Sequence, residues 1–122
     1  SEDRKRYGLA VGLSVSQNVV LASLKDFCAA GVVNDGKVTR VTEGYIKQIN
    51  IKTPGPNQLG RNLSGGNQQK VVIAKWLLPD CDVLIFDEPT RGIDVGAKSE
   101  IYKLMNELAA AGKSIIMISS EL

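Results

Sequence analysis

The chain has 122 residues, a net charge of +2, 43% hydrophobic and 23% charged residues, the proportions of an ordinary globular domain with one core. So small a net charge argues against nucleic acid or an anionic membrane as partner, and no apolar run approaches the ~20 residues that span a bilayer. Histidine is absent, which excludes a Ser-His-Asp triad, a Cys-His pair and any His-based zinc site.

Carboxylates, hydroxyls, amides, lysines and backbone N–H groups must therefore carry any chemistry. Cys28 and Cys81 stand in no metal-ligand spacing and read as reduced, buried side chains of a cytosolic protein. The charged N-terminus carries no signal-peptide apolar region.

Residues 1–12 are polar and read as loop, beginning at a charged segment as a cut fragment would. The run Arg4-Lys5-Arg6 follows Glu2-Asp3 and reads as a solvated surface. Ser14-Val15-Ser16-Gln17 fits a capping box opening a helix from Val15 to about Leu24. Ala29 to Gly36 reads as a loop closed by the turn signal Asn34-Asp35-Gly36. Val38, Val41, Tyr45 and Ile49 then recur at helical spacing and predict a core-facing stripe. Two prolines and a glycine make Thr53-Pro54-Gly55-Pro56-Asn57 irregular. Residues 1–62 thus form a mostly helical lobe.

The character changes in residues 63–122. Gln68 to Leu78 predicts a helix, apolar all round near Trp76 and so buried there, and stopped by Pro79. Val83 to Phe86 is a continuous apolar run, as a strand covered on both faces has. Val95 to Ala111 predicts an amphipathic helix with Ile101, Leu104, Met105 and Leu108 inward, Asp94 as N-cap and Gly112 after its end. Ser114 to Ser119 predicts a second buried strand. Strand, helix, strand at this spacing is a βαβ unit with parallel strands. Two strands make no stable parallel sheet alone, so the chain reads as a piece of a larger α/β domain.

Two stretches carry candidate chemistry. Leu63-Ser64-Gly65-Gly66-Asn67-Gln68 is a polar, glycine-bearing loop that opens a helix, where free N–H groups and the helix dipole favour an anion. Alone, it reads more readily as an ordinary capped helix start. Val83-Leu84-Ile85-Phe86-Asp87-Glu88 is a strand ending in two carboxylates, at the end where open α/β sheets bind ligands. Asp87 suits water-mediated Mg²⁺ binding, and Glu88 is placed to polarise an attacking water. The plainer alternative is a solvated strand exit at Glu88-Pro89-Thr90.

Together these stretches resemble the nucleotide-binding domain of ATP-binding cassette (ABC) proteins. Leu63 to Asn67 resembles the signature loop, with Asn67 where glutamine is commoner. Val83 to Glu88 resembles the Walker B strand with its catalytic glutamate, and Arg91-Gly92-Ile93-Asp94 the D-loop. With Glu2 to Arg6, Asn67 to Lys70, Thr90 to Lys98 and Ser119-Ser120-Glu121, the chain is similar to the second half of the double-cassette ATPases of bacterial ribose, galactose and xylose importers. The resemblance implies an α/β, partial P-loop NTPase-like fold, with a helical subdomain and a βαβ piece of the parallel sheet.

It also implies site roles. Ser64, Gly65, Gly66, Asn67 and Gln68 would bind ATP held by another cassette, and Asp94 would serve the D-loop. Asp87 would hold Mg²⁺ through water, and Glu88 would be catalytic. The Q-loop position falls on Glu2 and the switch position on Ser120, where glutamine and histidine are usual, and Arg91 replaces the usual D-loop serine. No Gly-x-x-x-x-Gly-Lys-Ser/Thr run occurs in the sequence. The chain alone would therefore be inactive, and the Asp87–Glu88 site would be the weaker of an asymmetric pair.

The implied cofactors are ATP and Mg²⁺. The implied partners are the first cassette of the same parent chain, transmembrane permease subunits and, indirectly, a periplasmic sugar-binding protein, with no nucleic acid. The implied location is peripheral, on the cytoplasmic face of the inner membrane. Competing readings are a soluble cassette ATPase acting on DNA or the ribosome, and an inactive interaction fragment whose open sheet edges pair with another copy.

Overall fold

The structure is a computed structural model and describes residues 9–29, 31–80 and 82–118. Glu2, the Arg4-Lys5-Arg6 run, Cys81 and Ser120 lie outside the described residues. Helix α1 (Val15–Val20) opens with the expected capping box: Gln17 N–H donates to Ser14 Oγ (3.1 Å) and Ser14 N–H to Gln17 Oε1 (2.9 Å). It does not continue as an α-helix to Leu24. The chain tightens into a 3₁₀ helix over Leu21–Phe27, kinked at Ser23, as often happens at a helix end.

The expected loop after it is more ordered than its small residues suggest. Strands β1 (Cys28–Ala29) and β2 (Val32–Val33) form a short antiparallel hairpin, with Gly31 at φ +79° in its turn. Asn34-Asp35-Gly36 is not a free turn but the start of helix α2 (Asp35–Gln48). Asn34 Oδ1 accepts from Lys37 N–H (3.0 Å). Asparagine serves turns and N-caps by the same side-chain bond, so sequence alone does not separate the two. Cys28 is exposed on this hairpin rather than buried. The α2 stripe is as expected: Val38 and Ile49 are buried, and Val41 and Tyr45 pack against the core.

Residues 51–59 are irregular and a 3₁₀ turn follows at Gly60–Asn62, and the stretch is firmly held. It runs beside residues 10–16 through Val15 N–H to Gln58 O, Ser16 N–H to Pro56 O, Gly60 N–H to Leu13 O and Arg61 N–H to Val11 O, all 2.8–3.0 Å. Asn18, fully buried, fastens the same segment. Its Oδ1 accepts from Ala10 N–H, and its Nδ2 donates to the carbonyls of Ala10, Leu13 and Ser14.

Helix α3 (Gly65–Leu77) runs through the core, with Val71, Ile73 and Ala74 wholly buried. Trp76 faces outward at 41% exposure, against the expectation of a buried ring. The helix turns that position to the outside, and the Lys75 ammonium lies 4.8 Å from the ring centroid. The helix ends before Pro79, which lacks the N–H to continue it.

Strands β3 (Val83–Asp87) and β4 (Ser114–Ile118) pair in parallel, Val83 opposite Ser114 and Asp87 opposite Ile118. Helix α4 (Val95–Ala110) connects them, as the spacing predicts, with Asp94 as its cap and Gly112 at φ +101° beyond its end. The strands are not covered on both faces. Leu84 and Phe86 enter the core, whereas Val83, Ile85, Ile116 and Ile118 are exposed. A continuous apolar run cannot announce this, because both faces carry the same residue type. Among the described residues, no helix is long and apolar enough to cross a membrane.

Candidate functional site

Leu63 is buried and anchors the loop, while Ser64 is exposed as the N-cap of α3. Ser64 Oγ accepts from Asn67 N–H (3.4 Å) and from Asn67 Nδ2 (2.8 Å). Asn67 Oδ1 accepts in turn from Lys52 N–H (2.8 Å), tying the loop to the segment after α2. Gln68 points inward, its Nε2 donating to the carbonyls of Gly60 (3.1 Å) and Leu63 (3.2 Å). Its side-chain amide thus holds the backbone leading into the loop. What faces solvent is the Ser64 hydroxyl, with half-buried Gly65 and Asn67 beside it, at a helix N-terminus where orphan N–H groups and the dipole favour negative charge.

The first turn of α4 lies against it. A Cβ built on Gly66 would come 2.7 Å from Ala97 Cβ, so only glycine allows this approach. Ala97 N–H donates to Asp94 Oδ1 (2.9 Å), which caps α4 at the same end. The structure therefore brings Ser64, Gly65, Gly66 and Asp94 to one edge, on two helix N-termini.

Asp87 is exposed and closes β3. Glu88, half-buried, adopts φ +50°, an uncommon conformation for a glutamate. Its backbone N–H donates to Ile118 O (2.6 Å) and its carbonyl accepts from Arg91 N–H (3.2 Å). The strand end of β4 and the turn into the Asp94 loop thus hold the backbone in that strained form. Pro89 and Thr90 are buried behind it, with Thr90 Oγ1 3.2 Å from Tyr102 Oη on α4.

Mg²⁺ keeps several waters and takes one or two carboxylates plus phosphate oxygens. An exposed Asp87 at the strand end fits that donor set. Among the described residues no three His, Cys, Asp or Glu side chains converge, so a metal there would draw most ligands from water and phosphate.

Two further side chains support the site in ways that the motifs do not assign. Lys70, buried in α3, donates from Nζ to Asn50 O (3.0 Å) and pairs with Glu100 on α4 (3.4 Å). A charged residue followed by Val71 and Val72 in a helix is the one hint the sequence offers. Nothing in the sequence singles out Tyr102 as the partner of Thr90.

The fold and these loops define the class: an ATP-binding cassette. The chain aligns with the dimeric bacterial ABC transporter cassette MJ0796 at TM-score 0.67 and 25% identity, over 89% of this chain and 47% of that one. A second solved cassette, MJ1267, shares the fold at TM-score 0.76 and 18% identity, over 98% of this chain and 54% of that one. The chain belongs to the ABC transporter family, whose sequence model matches residues 4–91. Over its whole length it is 62% identical to a ribose/galactose/methyl galactoside import ATP-binding protein of Burkholderia lata, covering 24% of that protein. It is 58% identical to the ribose import ATP-binding protein RbsA of Clostridium perfringens, covering 25% of it. The chain thus spans about a quarter of the length of the curated relatives it matches.

Proposed function

We propose that this chain serves the ATP-binding, ATP-hydrolysing subunit that energises carbohydrate import across a bacterial inner membrane. The observation that carries the reading is the edge where the first turns of α3 and α4 meet at Gly66 and Ala97. It presents the Ser64 hydroxyl and orphan backbone N–H groups to an anion, and Asp94 beside them. Identity to sugar-import ATP-binding proteins over the whole chain supports the assignment of that anion to a nucleotide.

In this reading Ser64, Gly65 and Gly66 contact the phosphates of an ATP held by another cassette. Residues 1–62 form the lobe that meets the permease, and residues 63–122 belong to the ATPase core. The partners are the first cassette of the same polypeptide, the permease and a periplasmic sugar-binding protein. The working place is the cytoplasmic face of the inner membrane. Asp87 would hold Mg²⁺ through water, which supplies positive charge to the phosphates, and Glu88 would orient the attacking water. With Ser120 at the switch position, the Asp87–Glu88 site is the weaker of the two, and the Ser64 loop completes the competent one.

One half of a nucleotide site binds poorly alone, because the loop supplies only part of the phosphate contacts. Isothermal titration of the 122-residue chain with Mg-ATP is expected to show no micromolar binding. A micromolar dissociation constant would contradict the assignment of the loop to a nucleotide held elsewhere.

A further inference from the structure

The cluster around Ser64 fixes which way a single hydroxyl proton points. Lys52 N–H is a backbone group that only donates, so the Asn67 side-chain atom 2.8 Å away must be its oxygen. That settles the amide orientation, which the side chain's own shape leaves ambiguous. The other atom, Nδ2, then donates to Ser64 Oγ at 2.8 Å, and Asn67 N–H donates to the same oxygen at 3.4 Å. A serine hydroxyl has two acceptor lone pairs and one proton. Both lone pairs are engaged, so Ser64 has only its proton left to offer, and it is exposed.

We propose that Asn67 acts as a positioning residue: held by Lys52 N–H, it makes Ser64 an obligate hydrogen-bond donor towards an anionic oxygen. This rests on the reading of Ser64 to Gly66 as a phosphate-binding loop and assigns Asn67 a role within it. An oxygen that already accepts from an amide is also a stronger donor, since hydrogen bonds in a chain polarise one another. The arrangement selects for acceptors with no proton of their own, such as a phosphoryl oxygen, and disfavours ligand groups that need to donate. Each polar atom of the Asn67 side chain has an internal partner, Oδ1 the Lys52 N–H and Nδ2 the Ser64 hydroxyl, which fixes the direction of the amide.

The test is a double-mutant cycle on ATPase activity in the full-length polypeptide carrying this segment. Ser64→Ala is expected to lower kcat/KM about tenfold, the loss of one charge-assisted hydrogen bond, and Asn67→Ala by about threefold, since the hydroxyl remains but is no longer held as a donor. The double variant is expected to lose no more than Ser64→Ala alone, because Asn67 acts through the hydroxyl. Losses that multiply in the double variant overturn the positioning role while leaving the phosphate loop intact. No loss from Ser64→Ala overturns the phosphate loop and the positioning role with it.

Asn67→Asp guards against variants that fail to fold. It keeps an oxygen for Lys52 N–H and puts a carboxylate in the first turn of α3, where the dipole favours it. Its second oxygen accepts where Nδ2 donates, so the Ser64 proton turns inward. Thermal unfolding is expected no lower than for the parent, with kcat/KM reduced at least tenfold. Full activity in Asn67→Asp overturns the proposal.

Discussion

Gly66 and Ala97 meet so closely that a Cβ built on Gly66 would lie 2.7 Å from Ala97 Cβ. This contact sets the spacing between the loop at Ser64 and the loop at Asp94. Gly66→Ala therefore has to push the two helices apart, at a cost of about 1–3 kcal/mol for overpacking. Ala97→Gly in the same chain reopens the space and is expected to recover most of that loss. Urea unfolding of the two single variants and the double variant checks it; a Gly66→Ala variant as stable as the parent would show that the helices separate freely.

Lys70 ties two helices and a loop together, reaching the carbonyl of Asn50 after α2 and the carboxylate of Glu100 on α4 from its place in α3. The two bonds are not equal, because Lys70 is buried while Glu100 is about half exposed (51%). Lys70→Met keeps the apolar stem but leaves the Asn50 carbonyl without its donor, a loss of about 1–3 kcal/mol. Glu100→Gln weakens a partly solvated pair and is expected to cost under ~1 kcal/mol. Denaturant midpoints distinguish the two; equal losses would mean that the ion pair, and not the carbonyl bond, is the larger contribution.

Asn18 holds the segment that runs beside the approach to the Ser64 loop. Its side chain is fully buried and makes one accepted and three donated bonds to Ala10, Leu13 and Ser14. Asn18→Leu is close in volume but leaves the Ala10 N–H without its acceptor, while the Ala10, Leu13 and Ser14 carbonyls keep their backbone donors, and roughly 1–3 kcal/mol of stability is expected to be lost. Hydrogen exchange in the variant is expected to accelerate at Ala10 and Gly60 before it does in α4. Uniform acceleration would place Asn18 in the general core instead.

The contact between Asp80 and Lys113 predicts a pH effect with a definite sign. The Lys113 ammonium, 2.7 Å away, holds the Asp80 carboxyl below its ordinary value by hydrogen bond and charge. A carboxyl lowered in the folded state adds stability above the unfolded-state pKa and loses it as pH falls through the folded value. Asp80 is fully exposed, so the effect is small and screened by salt. The difference in unfolding midpoint between parent and Asp80→Asn is expected to vanish in acid and to shrink in high salt. A difference that persists in acid would place the origin outside this pair.

The elements legible from sequence are those where one residue type has one physical meaning. The Ser14–Gln17 box, the α2 stripe, the Asp94 cap and the parallel β3–β4 pair were all readable, as was the family from Leu63 to Asp94. Asn34 misled because the same side-chain bond serves a turn and a helix cap. Trp76 and the outer face of β3 misled because apolar character does not say which side meets the core. At the site, the motif places Asn67 and Gln68 beside Ser64. It does not reveal that Gln68 turns inward to Gly60 and Leu63, or that Asn67 is held by Lys52. Those bonds depend on segments far apart in the chain that only the fold brings together.

The central claim is that the Ser64 loop completes the competent nucleotide site while Asp87 and Glu88 occupy the weaker one. Steady-state ATPase turnover of the full-length polypeptide, measured after Gly65→Asp and separately after Glu88→Gln, tests it most directly. A carboxylate at residue 65 opposes the phosphates at the first turn of α3, and turnover is expected to fall about a hundredfold. Glu88→Gln is expected to leave most of the turnover in place. Abolished turnover in Glu88→Gln together with unchanged turnover in Gly65→Asp would contradict the account.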